Sequence, residues 1–175
     1  LERMQDFQKA FEKDKVKWVK PDAMHLTLKF LGETDENFIP ELVEHLRPLE
    51  KTHLPFSMQL TGTGTFGKLH KPRVIWAGIT GSEPAKLLQQ EIETITTKLG
   101  FEAEDREFRP HLTLARVKFI RNTRLLQEMV QADQGVKFQE LPVQAFYLYQ
   151  STLHPEGAKY QVLATFPLGR DARPE

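Results

Sequence analysis

The sequence predicts an α+β fold of two pseudo-symmetric lobes, each an antiparallel β-sheet backed by helices, within one domain spanning 1–175. Three observations predict it. The tetrapeptide His-Leu-Thr-Leu occurs twice, in "AMHLTLKFLGE" and "FRPHLTLARV", with His25 and His111 separated by 111 − 25 = 86 positions. The same order of strand, helix, strand, loop and strand follows each copy. The strands beginning at Phe56 and Val136 are 136 − 56 = 80 positions apart, close to the histidine offset.

The elements follow from hydrophobic periodicity. Leu1, Met4, Phe7 and Phe11 are spaced for an amphipathic helix over Leu1 to about Lys13. His25–Leu31 alternates as a strand. Phe38 to about Leu49 reads as a helix with Pro40 in its first turn. Phe56–Thr63 and Arg73–Thr80 read as strands joined by a glycine-rich connection. Pro84–Leu99 is a helix whose stripe is Leu87, Leu88, Ile92, Ile95 and Leu99. His111–Phe119 is a strand and Thr123–Ala132 a helix. Val136–Gln150 and Lys159–Leu168 are strands around a turn containing Pro155 and Gly157. The halves divide at roughly 1–80 and 81–175. In the second half the strand "RVIWAGIT" precedes the first helix, so an equivalent strand is expected ahead of Leu1 and absent from the chain as given.

In both tetrapeptides side chains at i and i+2 share a face. His25 and Thr27 point one way, Leu26 and Leu28 the other. His111 and Thr113 stand likewise against Leu112 and Leu114. One such strand is ordinarily a solvated polar face. Two in matched contexts suggest a duplicated lobe that brings both imidazoles to one cleft between the lobes. Paired histidines suit a reaction that removes one proton and delivers another. Threonine hydroxyls beside them can donate to an anion's oxygens. In-line displacement at phosphorus needs those parts.

Composition narrows the classes. The 175 residues include no cysteine, so neither disulfides nor thiolate metal sites arise. No apolar run is long enough for a spanning helix, and the opening residues show no signal-peptide pattern. A cytoplasmic monomer with no obligate protein partner is the expectation. The charges balance at 24 against 24, which disfavours a binder relying on bulk charge. They are uneven locally. Phe108–Gln127 holds Arg109, Arg116, Lys118, Arg121 and Arg124 without an acid, and Lys51–Ser82 holds Lys51, Lys68, Lys71 and Arg73 without one. These segments either line an anion site or are solvated edges.

"MHLTLKFLGE" and "FRPHLTLAR" resemble the paired motifs of the 2H phosphoesterase superfamily. With "PRVIWAG" and "LYQSTLHPEGAKY", the chain more narrowly resembles the bacterial and archaeal RNA 2′,3′-cyclic phosphodiesterases, also called 2′-5′ RNA ligases. The resemblance covers nearly the whole chain. It implies hydrolysis of a terminal 2′,3′-cyclic phosphate on RNA to a 2′-phosphomonoester, with neither metal nor cofactor. It assigns His25 as proton donor to the leaving 3′ oxygen and His111 as the acceptor that activates water. It assigns Thr27 and Thr113 to the phosphoryl oxygens. A weak reverse ligase activity is also implied.

Further positions are open. Lys29 shares the parity of His25, so it reaches the cleft or stands as a solvated lysine. Arg116 has the parity of the leucines and reaches the cleft only if the strand twists or ends there. Arg73 and Phe66 lie on or beside the glycine-rich connection. Phe66 reads as core packing ahead of base stacking, and Trp76 and Tyr149 read as core aromatics. His45, His53, His70 and His154 read as surface residues. A zinc site on His25 and His111 lacks a third spaced ligand. The rivals are a 2H phosphodiesterase acting on another cyclic phosphate or an oligoadenylate, and an RNA-end binding module with little turnover.

Overall fold

The structure, a computed structural model, describes residues 2–154 and 157–169. Leu1 of the expected first helix and Pro155 of the expected turn lie outside the described residues. In chain order the elements are α1 (Glu2–Ala10), β1 (Lys15–Trp18), α2 (Ile39–Leu46), α3 (Leu49–Thr52), β2 (Phe56–Lys68), β3 (Lys71–Thr80) and α4 (Glu83–Lys98), then β4 (His111–Phe119), α5 (Thr123–Ala132), β5 (Lys137–Val143), β6 (Ala145–His154) and β7 (Gly157–Pro167). The α+β class stands. No described helix is long and apolar enough to cross a membrane.

The chain forms two compact units, each drawn from three segments. The first is Leu1–Leu26, Gln59–Thr80 and Pro110–Glu140; the second is Thr27–Met58, Gly81–Arg109 and Leu141–Glu175. Each half of the sequence therefore gives its middle segment to one unit and its flanking segments to the other.

In the first unit the sheet order is β1-β4-β3-β2-β5, and the β1–β4, β4–β3 and β3–β2 pairs are antiparallel. One sheet face carries the core: Ile75, Ala77, Leu114, Ala115 and Val117 pack with Phe7, Phe11, Ile120 and Leu126. Met4, Phe7 and Phe11 are buried at helical spacing, as the sequence predicts. Each large buried apolar side chain contributes about 1.5–3 kcal/mol. Asn122 caps α5 by accepting the Leu125 N–H at 2.9 Å, a contribution of about 1 kcal/mol. Buried Asp133 accepts from Arg3 and from Thr63, each at 2.7 Å. Its carboxylate thereby ties α1 and β2 to the C-terminal end of α5.

The second unit packs α2, α3 and α4 against the β6–β7 hairpin. Leu42, Leu46, Leu49, Leu88, Ile92, Phe146, Leu148, Phe166 and Leu168 form its core, with the Phe146 and Phe166 rings stacked 4.5 Å apart. The buried stripe of α4 is Ala85, Leu88, Gln89, Ile92 and Thr96, while Leu87 is exposed. Leu87 adjoins Leu88 and so faces another direction on a helix of 3.6 residues per turn.

Several expected elements differ. The helix expected to run to Leu49 breaks at Arg47–Pro48, where Pro48 begins the next short helix. The glycine-rich connection is itself strand: β2 and β3 continue to a tight turn at Leu69–His70. The strand expected from Val136 divides at Gln144 into β5 and β6. β1 is a strand that the periodicity did not reveal. The His25–Leu31 strand is absent, because a strand exists only in a hydrogen-bonded pair. Among the described residues nothing pairs with this segment, whereas β4 has β1 and β3. Side chains hold it instead, with Leu28 and Leu31 packing on the second core.

Candidate active site

β4 carries the second motif. It pairs with β3 so that His111 stands beside Gly78 and Thr113 beside Trp76. The register then slips: Trp76 faces Thr113, but Ile75 faces Ala115. Leu114 and Ala115 are both buried against the core. Two consecutive inward residues mark a β-bulge, which inverts the alternation beyond it. Arg116 and Lys118 consequently share the outer face with His111 and Thr113. The strict parity that put Arg116 with the leucines fails at this bulge. A bulge leaves no periodic trace in a nine-residue strand.

Aromatic rings surround His111. Phe66 meets it edge-on, with centroids 5.0 Å apart and planes at 86°. Trp76 lies 6.4 Å from His111 and 5.5 Å from Phe66. Phe66 is 38% exposed and Trp76 half-buried, so neither is a core residue. Both have the parity of the outer sheet face, because Phe66 pairs with Val74 and Gly64 with Trp76. Glycines make this arrangement possible. A Cβ on Gly64 would lie 2.1 Å from the Trp76 ring, so only glycine lets the indole lie across the sheet. Gly62, at φ +67°, forms the bulge that keeps β2 in register and donates its N–H to Val136 at 2.8 Å. These rings shield one side of the imidazole from water and fix its orientation.

His25 reaches its place through β1. Lys17 pairs with Arg116 and Trp18 with Ala115, and the Val19 N–H donates to the Leu114 carbonyl at 2.9 Å. A single 3₁₀ turn, Pro21–Ala23, flanked by extended Lys20 and Met24, follows and leads to His25. The His25 Nδ1–H donates to the Ala23 carbonyl at 2.9 Å. That bond fixes the proton on Nδ1, which makes Nε2 the ring's acceptor nitrogen when the imidazole is neutral. Both histidines thus belong to the first unit, and the approach to His25 is anchored on the strand that bears His111. The division between units falls just after Leu26, so Thr27 opens the second unit, where it is exposed. Thr113 is half-buried beside Trp76.

The remaining candidates are distributed differently. Arg73 is exposed at the bulge opposite Phe66 and Gly67, outside the ring cluster. Lys29 is committed elsewhere: its ammonium donates to Glu93 at 2.7 Å and to the Glu102 carbonyl at 2.8 Å, with its side chain 4% exposed. A charge held this way is not available to a phosphate. Of the basic run around β4, Arg109 pairs with Glu107, Arg121 with Asp14 and Arg124 with Glu128. Tyr149 is 41% exposed on β6 and is no core aromatic. His45, His70 and His154 are exposed, whereas His53 is half-buried against Glu91. Among the described residues no three metal-ligating side chains gather.

The Lys29 clamp has a pH signature. Burial pushes the Glu93 carboxyl up, but bonds from Lys29, the Glu104 N–H and Thr97 together outweigh it and hold Glu93 below its ordinary 4.5. A depressed carboxyl contributes stability that is fully present above its unfolded pKa and lost as pH falls through the folded value. The urea midpoint of the wild type should therefore converge on that of Glu93→Gln as pH is lowered from about 5 into the strongly acidic range. A gap that stays constant from neutrality to acid would show that the clamp is electrostatically idle.

Comparison with known proteins gives a consistent picture. A family model described as LigT-like phosphoesterase matches residues 1–76 and 80–160. The chain is 36% identical to a Methanocaldococcus jannaschii protein named RNA 2′,3′-cyclic phosphodiesterase, over 93% of this chain and 90% of that one. It is 37% identical to a Thermotoga maritima protein of the same name, over 83% and 76%. Among solved structures it is similar to TT0787 of Thermus thermophilus, with a TM-score of 0.74, 31% identity and coverage of 96% and 92%. The fold is also that of Escherichia coli LigT crystallised with 3′-AMP, with a TM-score of 0.71 at 20% identity over 95% and 90%.

Proposed function

Because this chain belongs to the LigT-like phosphoesterase family, we propose that it hydrolyses the terminal 2′,3′-cyclic phosphate of RNA to a 2′-phosphomonoester, with His25 and His111 as the acid–base pair. Water attacks phosphorus while His111 takes its proton. The bond from phosphorus to O3′ breaks, and His25 delivers a proton to that oxygen. Thr113 donates to a non-bridging oxygen, and Thr27 is assigned the same task. After one turnover His111 holds the proton and His25 lacks one, and proton exchange with solvent restores the starting state. With a 5′-hydroxyl in place of water, the same displacement of O3′ would form a 2′-5′ phosphodiester, which is the 2′-5′ ligase reaction.

The observation that carries this reading is the pair of His-x-Thr motifs tied to one strand. His111 and Thr113 share the outer face of β4, and the segment leading to His25 is hydrogen-bonded to that strand. Phe66, whose ring meets His111 edge-on, would stack on the terminal base. Arg116, two residues past the bulge on the same face, adds positive charge where the substrate is anionic.

Product analysis tests the reading. A nucleoside 2′,3′-cyclic phosphate incubated with the protein and excess EDTA should yield only the nucleoside 2′-monophosphate, at the rate seen without chelator. Formation of the 3′-monophosphate, or loss of activity to EDTA with recovery on adding zinc or manganese, would overturn it.

A further inference from the structure

Beyond the bulge, the outer face of β1 and β4 is a row of cations. Val16 and Trp18 turn toward the core and alternate with exposed Lys15 and Lys17. Val117 turns inward and alternates with exposed Arg116 and Lys118. Lys17 and Arg116 are cross-strand neighbours. These four residues line a cavity of about 440 Å³ together with Asp14, Val16 and Val117. Like charges directly opposite one another destabilise a strand pair, yet none of the four forms an ion pair among the described residues. Asp14, the acid in the lining, is 8% exposed and already held by Arg121 at 3.0 Å. The groove is therefore a concentration of uncompensated positive charge on a chain whose formal net charge is zero.

Its position indicates what fills it. At ~3.3 Å of rise per residue, Arg116 lies up to roughly 17 Å and Lys118 up to roughly 23 Å along β4 from His111. That is beyond the reach of the reacting phosphate itself. A 2′,3′-cyclic phosphate ends an RNA strand, so the rest of the polymer continues only in the 5′ direction. We propose that the β1–β4 groove, with Lys15, Lys17 and Lys118 extending the row begun by Arg116, binds the phosphodiester backbone of the nucleotides 5′ to the cyclic end. The groove makes this chain selective for a single-stranded polynucleotide over a free mononucleotide. This rests on the proposed function and deepens it from a type of bond to a class of substrate. Backbone phosphates recognised by lysines carry no sequence information, so the selectivity is for chain length and not for sequence.

The test compares two substrates and two proteins. The wild type and the double variant Lys17→Gln/Lys118→Gln are each given a nucleoside 2′,3′-cyclic phosphate and a single-stranded oligoribonucleotide of about six residues bearing the same end. Both lysines are exposed, and circular dichroism with the urea midpoint checks that the variant folds. The wild type should favour the oligonucleotide, and the variant should lose on the order of tenfold in kcat/KM for it while keeping the mononucleotide rate. Anisotropy with a labelled oligonucleotide ending in the 2′-phosphate product reads binding without turnover. Its logarithmic salt slope should flatten by about 1.4 in the variant, at ~0.7 for each single-strand phosphate that a lysine no longer neutralises. Equal kcat/KM for the two substrates, or a variant with unchanged oligonucleotide affinity and salt slope, overturns the groove while leaving the proposed hydrolysis intact. If neither substrate is turned over yet the salt slope still depends on Lys17 and Lys118, the hydrolytic reading fails and the groove stands.

Discussion

His25→Ala and His111→Ala should each reduce turnover of a nucleoside 2′,3′-cyclic phosphate by roughly 10²–10⁴-fold, the usual weight of a general acid or base. The double variant should cost less than the product of the two, because groups that act as a unit are not additive. Both side chains are only half-buried, so neither truncation opens a large cavity, and urea midpoints should move little. The roles separate on a substrate whose leaving group needs no proton, such as a nucleoside p-nitrophenyl phosphodiester. There His25→Ala should lose little, while His111→Ala should remain nearly inactive. Equal loss in both variants would leave the donor and acceptor assignment without support. Full activity in either variant on the cyclic phosphate would remove the two-histidine mechanism altogether. Thr113→Ala should fall between these results, at about 1–3 kcal/mol for a hydrogen bond to a charged oxygen.

The parts of this molecule legible in its sequence are those set by local periodicity. The limits of β4 and α5 coincide with the alternation of His111–Phe119 and the stripe of Thr123–Ala132, because one face of each is buried in a single continuous core. The motif histidines were visible because the same tetrapeptide appears twice. What stayed hidden depends on pairing between distant segments. β1 has only four residues, and its identity as a strand comes from β4, some hundred positions away. The bulge at Leu114 is likewise a property of the β3–β4 register, so Arg116 could not be placed by counting. Lys15 and Lys17 also join Arg116 and Lys118 only through the β1–β4 register. The core assignment of Phe66 and Trp76 failed for a related reason. Size and apolarity argue for burial, but the outer face of this sheet holds its aromatics around His111 instead. Lys29 shows the converse case, in which a favourable parity is overridden by a carboxylate brought up by α4.

Gly64→Ala should be disproportionately harmful for the addition of one methyl group. The new Cβ would lie 2.1 Å from Cζ2, 2.3 Å from Cη2 and 2.6 Å from Cε2 of Trp76, all inside van der Waals contact. Both residues are held by the β2–β3 ladder, where they face each other, so the indole must swing away from the sheet. Overpacking of this kind costs about 1–3 kcal/mol, and a lower urea midpoint with an unchanged m-value would report it. The larger consequence is at the site. Trp76 is 5.5 Å from Phe66 and 6.4 Å from His111, so its displacement removes the neighbours that orient the imidazole. Turnover should fall even under conditions where the variant is fully folded, with kcat affected more than KM. In a Trp18→Phe background, which leaves Trp76 as the remaining tryptophan, the fluorescence should shift toward that of a solvated indole. The clash also predicts its own suppressor. Trp76→Ala removes the ring that Gly64→Ala strikes, so the two substitutions together should destabilise less than the sum of the singles, with a coupling of about 0.5–3 kcal/mol. Strict additivity, or an unmoved Trp76 emission in the single variant, would mean that the indole does not lie over Gly64 and that its part in orienting His111 is mistaken.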